Sequence, residues 1–79
     1  MIEVIKEDQL LDCSGVLCPV PIVKTSKAMK ELQAGQVLKV IATDAGAPPD
    51  IEAWCRQTGN ELLRSMTENG KFVFFLKKN

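Results

Sequence analysis

Leu11-Asp12-Cys13-Ser14-Gly15-Val16-Leu17-Cys18-Pro19-Val20-Pro21 is the stretch whose reading decides the fold. A short apolar run ends at Asp12-Cys13, a glycine follows, and two prolines open what reads as a helix. Proline is best tolerated in the first helical turn, where backbone N–H groups lack intrahelical partners. Pro19 is then the first helical residue and Cys18 its N-cap. A residue before proline is pushed towards extended backbone, the conformation an N-cap adopts. An N-cap side chain accepts from the second and third helical N–H groups. The third residue here is Pro21, which has none, so Val20 is the main donor left for the sulfur. The helix end favours negative charge, and a thiol held there is expected to have a lowered pKa. No histidine exists in the chain to serve as its base.

Upstream, residues 1–8 read as a lead-in or as part of a first strand continuing through Gln9–Cys13. Asp12 is placed to bond local backbone N–H groups in the turn; its charge would oppose a thiolate at Cys18. Downstream, Pro19 to about Gln33 is helical, with Ile22, Thr25, Ser26, Met29 and Leu32 on one stripe facing a sheet. Ala34-Gly35 is read as its end. Lys24, Lys27 and Lys30 lie on the other face, either a solvated surface or a basic docking surface.

Gln36–Thr43 reads as a strand buried on both faces, because Val37, Leu38, Val40, Ile41 and Ala42 are nearly continuous. Strand, helix and strand make a parallel βαβ unit with a right-handed crossover. Functional groups collect at the carboxyl ends of such strands, which puts Cys18 and Asp44 at one edge. Asp44–Pro49 reads as a loop, with Asp44 as a turn or cap residue or a partner-recognition group. Asp50–Thr58 is a short helix with Ile51, Trp54, Cys55 and Thr58 on its apolar face, stopped by Gly59-Asn60. Cys55 there is a small buried hydrophobe, inert because burial raises a thiol pKa; an exposed Cys55 would instead be a second reactive thiol.

Asn60–Thr67 and Lys71–Lys78 pair around the hairpin signal Glu68-Asn69-Gly70. Phe72, Phe74 and Leu76 form one face of the last strand. Val73 and Phe75 form the other, expected to be partly exposed and covered by a partner. The sum is a two-layer α/β (α+β) sandwich, β-α-β-α-β-β, with two helices on one face of a mixed four-stranded sheet. Residues 1–79 form one domain.

Ten basic and ten acidic side chains cancel. No global field draws the chain to nucleic acid or anionic lipid, so direct nucleic-acid binding has no support. No apolar run approaches the length of a membrane span, and no secretory signal precedes the three cysteines. A reducing cytoplasm is the expected compartment. No metal is expected, since three cysteines without histidine cannot complete a zinc site.

These residues resemble the TusA/SirA-like sulfur-carrier (sulfurtransferase) family. The signature is a D-x-x-G turn (Asp12 to Gly15) followed by Cys-Pro-x-Pro (Cys18 to Pro21). The resemblance continues through A-T-D and D-I-E-A-W-C-R-Q-T-G-N-E-L-L and covers nearly the whole chain. It implies the same two-layer sandwich and a persulfide on Cys18, with Pro19, Val20, Pro21, Gly15 and Asp12 supporting. It also implies a protein donor (cysteine desulfurase or rhodanese-like) and a protein acceptor such as a DsrE-like protein. The chain would then be a covalent shuttle without a cofactor rather than a self-sufficient catalyst. One departure is Ala45, where the family commonly has proline after the aspartate. Val16 and Leu17, apolar yet in a loop, would form a collar for the partner. Cys13 is either a semi-buried strand-end residue or a second thiol that attacks the Cys18 persulfide. The latter would make the protein a persulfide reductase component or a redox-regulated interaction domain.

Overall fold

The computed structural model describes residues 5–17 and 20–79. The elements are β1 (Gln9–Cys13), α1 (Val20–Glu31), β2 (Val37–Ala42), α2 (Ala47–Thr58), β3 (Glu61–Glu68) and β4 (Lys71–Lys77). They form the expected β-α-β-α-β-β sandwich, and the sheet order is β1-β2-β4-β3. β1 runs parallel to β2, whereas β4 is antiparallel to both β2 and β3.

The sheet buries one face under both helices. Leu38, Val40 and Ala42 alternate inward along β2 and meet Phe74 and Leu76 of β4. On α1, Pro21, Thr25, Ala28 and Met29 are buried, at i, i+4, i+7 and i+8, the spacing of a core-facing stripe. Ile22 and Ser26 flank it half-buried, so the stripe is rotated slightly from the one expected. From α2, Ala47, Ile51 and Cys55 complete the core, with Trp54 partly buried against it. Thr58, expected on that apolar face, is exposed and donates its hydroxyl to the Trp54 carbonyl at 2.8 Å.

β2 is not covered on both faces as its composition suggested: Val37, Lys39 and Ile41 are half-exposed. Both helices pack against the other side of the sheet, so among the described residues no helix covers this face. The same open face corrects the reading of β4. Val73 and Phe75 are buried within the single chain, at 4% and 7% exposure. β4 is a central strand, so both have cross-strand neighbours on each side. Ile41 and Met66 flank Val73, and Lys39 and Arg64 flank Phe75. Long cationic side chains can cover apolar surface with their stems, and the Lys39 ammonium lies 5.6 Å from the Phe75 ring centroid.

Two helix ends differ from the sequence reading. α2 starts at Ala47, not Asp50, with Gly46 as N-cap and Pro48 and Pro49 inside its first turn. First-turn residues need no intrahelical donor, so the two prolines open the helix instead of extending the loop. α1 ends at Glu31, and Gly35 (φ 89°) serves a later turn, donating its N–H to the Lys78 carbonyl at 2.8 Å. The Lys78 ammonium in turn reaches the carbonyls of Leu32 and Lys30 at the end of α1. A cation there satisfies orphan carbonyls and opposes the negative end of the helix dipole.

Gly59 does stop α2, in the left-handed conformation (φ 78°), with its N–H on the Cys55 carbonyl. Asn69 and Gly70 both have positive φ, the geometry of a type I′ hairpin turn. Among the described residues no helix is long and apolar enough to cross a membrane.

Candidate functional site

The site is built at the carboxyl ends of the two parallel strands. Cys13 is paired in register with Ala42 at the ends of β1 and β2, so the segments that follow both strands leave the sheet together. After Cys13 the chain turns sharply. Asp12 Oδ1 accepts the Ser14 N–H at 2.9 Å, and the Val16 N–H donates to the Cys13 carbonyl at 3.2 Å. Gly15 sits at φ 77° and its N–H donates to Thr43 Oγ1 at 2.8 Å. Beyond its own chain neighbours, no atom lies within 4 Å of where a Gly15 Cβ would stand, so the backbone conformation, not space, asks for glycine here.

Asp12 therefore has the turn-building role foreseen for it. Adjacent Ser14, by its side chain and by its N–H at 2.9 Å, holds the Asp12 carboxyl below the ordinary aspartate value, and Lys71 adds to this, although the Ser14 hydroxyl itself finds no hydrogen-bond partner among the described residues. Asp44 also serves a turn, its carbonyl accepting the Ala47 N–H at 3.0 Å as α2 begins.

Cys18 and Pro19 lie outside the described residues, and with them the N-cap assignment and the expected lowered thiol pKa. What flanks them is described. The Val20 N–H donates to the Leu17 carbonyl at 3.0 Å. The sequence reading offered that N–H to the sulfur, which lies outside the described residues. Leu17 is 71% exposed, Val20 40% and Val23 57%. Exposed large apolar groups clustered in one short stretch mark an interaction surface more than single ones do. Of the two residues of the expected apolar collar, Leu17 is exposed and Val16 half-buried. Pro21 is fully buried and ties the start of α1 to the core.

The other two thiols are not available. Cys13 is fully buried, and burial pushes its pKa up against a small opposing pull from Lys24. Cys55 is 5% exposed and burial pushes its pKa up to about 11. Neither is in a disulfide. Thiolates are the nucleophilic form, so buried, protonated thiols are inert. The residues that sequence reasoning missed are Thr43, which anchors Gly15 from 28 positions away, and Val23, whose exposure, like that of Val20, depends on how α1 is rotated.

The comparisons with known proteins agree with this architecture. The sequence model described as Sulfurtransferase TusA matches residues 9–78. The chain is 51% identical over 72 residues to the sulfur carrier protein TusA of Allochromatium vinosum, covering 91% of this chain and 95% of that protein. It is 50% identical over 96% of its length to a relative from Aquifex aeolicus, of which it spans 39%. A SirA-like protein from Desulfitobacterium hafniense shares the fold at a TM-score of 0.78 and 22% identity, covering 87% of this chain and 95% of that one. The match over residues 9–78 and the identity along nearly the whole of a sulfur carrier protein, on this sheet, place the chain in the sulfurtransferase TusA family of sulfur carriers.

Proposed function

We propose that Cys18 holds a persulfide and relays its outer sulfur from a donor protein to an acceptor protein in the cytoplasm. The Cys18 thiolate attacks the outer sulfur of a donor persulfide. A bond forms between Cys18 Sγ and that sulfur, the donor S–S bond breaks, and the donor sulfur leaves as a thiolate. The acceptor thiolate then attacks the same outer sulfur and releases Cys18 as thiolate. Each step is a sulfur exchange without net oxidation, so no external oxidant or cofactor is required. Rates of such exchanges depend on access to the sulfur attacked and on thiolate character.

The observation that carries this reading is the exposed apolar stretch Leu17, Val20 and Val23 on either side of the Cys-Pro pair. Buried Cys13 and Cys55 leave Cys18 as the thiol for the chemistry. A partner cleft that covers the apolar stretch would exclude water from the transferring sulfur and use a largely pre-formed surface, limiting the entropy lost on docking. A cysteine desulfurase or rhodanese-like protein as donor and a DsrE-like protein as acceptor fit this scheme.

Intact-protein mass spectrometry after incubation with a sulfane-sulfur donor tests it. The expected result is a gain of about 32 Da, one sulfur, that disappears in Cys18→Ser and persists in Cys13→Ser and Cys55→Ser. A gain that survives Cys18→Ser would overturn the assignment.

A further inference from the structure

Between α1 and α2 runs a groove formed by two adjoining cavities of about 190 and 460 Å³. They share Ser26, Lys30 and Trp54. Ile22 and Val23 lie at one end, and Met29, Thr58 and Lys78 at the other. Among the described residues its cations are Lys27, Lys30 and Lys78, and no carboxylate lines either cavity. Asp50, one helical turn before Trp54, is not among the lining residues. In a chain whose charges cancel overall, this is a local excess of positive charge over an apolar floor. The groove's Val23 end is the exposed apolar stretch beside the Cys-Pro pair, so groove and stretch form one surface.

A groove between two helices with an apolar floor and charged rim fits an amphipathic helix, whose apolar side chains at i, i+3/i+4 and i+7 enter the groove. Charge complementarity then fixes the sign of the flanking residues. We propose that the α1–α2 groove docks an acidic amphipathic helix of a partner protein, with apolar side chains against Trp54 and Ile22 and carboxylates on Lys27 and Lys30. The inference rests on the sulfur-carrier reading for the partner's identity, a sulfur donor or acceptor. The recognition chemistry stands on the groove alone. A single-stranded nucleic acid is the less fitting occupant. The lysines do not form a long track for a phosphate backbone, Lys78 is committed to the α1 carbonyls, and one aromatic does not make a stacking platform.

The test is selection from a displayed library of amphipathic helices with randomised rim positions, against the Cys18→Ser protein so that no covalent capture contributes. Trp54 is the only tryptophan, and the chain has no tyrosine, so its emission reports occupancy directly. The expected result is enrichment of Asp and Glu at the rim and a saturable change in Trp54 emission. Affinity should fall by at least about tenfold in Lys27→Glu/Lys30→Glu and with added salt. The same charge change on the other side of the molecule, Lys71→Glu/Lys77→Glu, should leave it unaltered. Enrichment of neutral or basic helices, no enrichment, or equal binding by Lys27→Glu/Lys30→Glu would each overturn the proposal. So would a Trp54 response to a single-stranded RNA oligonucleotide larger than that to the selected helix. Sulfur loading of Cys18 in the wild type, read by mass, is independent of all these outcomes, so the two readings fail separately.

Discussion

The Gly15 N–H donates to Thr43 Oγ1 at 2.8 Å, joining the turn after β1 to the residue that follows β2. The bond spans 28 positions of sequence and almost none of space, because parallel pairing brings Cys13 and Ala42 level. It fixes the segment that leads to Cys18 against the sheet. Thr43→Ala removes the acceptor and is expected to cost about 0.5–1.5 kcal/mol, a typical net hydrogen bond. Gly15→Ala is expected to cost about 1–2 kcal/mol through its left-handed backbone alone. Urea denaturation of both variants checks these values. Sulfur transfer should slow more than stability loss explains, since a turn off by an ångström mispositions the thiol.

Leu17→Ser and Val20→Ser alter exposed side chains, so stability should stay within about 0.5 kcal/mol of the wild type. Transfer to or from a protein partner should weaken through a raised KM. Loading of Cys18 by a small inorganic sulfane-sulfur donor should not change. Parallel assays with protein and small-molecule donors separate docking from chemistry.

The buried thiols predict an alkaline weakness. Below pH 9 Cys55 is protonated in both folded and unfolded chains and contributes fully to stability. From pH 9 to about 11 the unfolded chain loses the proton while the folded one keeps it, so stability falls as pH rises. Cys13, shifted in the same direction, adds to the slope. Urea midpoints measured across this window should decline, and Cys55→Ala should flatten the decline while lowering stability overall. Alkylation near neutral pH should label neither Cys13 nor Cys55 in the native protein.

Asp12 behaves oppositely. Its folded pKa lies below 3.8, so its contribution is present above that value and lost as pH falls through the folded pKa. A carboxyl chemical-shift titration by NMR should place its midpoint below 3.8.

Lys78 links the end of the chain to the end of α1. Lys78→Ala leaves the Leu32 carbonyl without its cation and is expected to cost about 0.3–1 kcal/mol. Loss of amide protection should concentrate in the last turn of α1, measurable by hydrogen exchange.

The sequence by itself determined the element order, the hairpin at Asn69-Gly70, the stop at Gly59, the Asp12 turn and the burial of Cys55. Each is a local matter: periodicity, a positive φ or a proline's missing N–H acts within a few residues and can be read within a few residues. It also carried the Cys-Pro-x-Pro signature at its spacing behind the D-x-x-G turn. Tertiary structure alone decided the rest. Periodicity cannot order strands, so β4's central position, and with it the burial of Val73 and Phe75, followed from pairing with β2 and β3. The partner of Gly15 followed from parallel register. The start of α2 at Ala47 depended on whether Pro48 and Pro49 would end a loop or open a helix, and either is compatible with their fixed φ. The Leu17 carbonyl accepts from the Val20 N–H, an acceptor that the reading of the sequence did not name. A donor's partner is a question of which acceptor folds nearest, and sequence separation does not measure that distance.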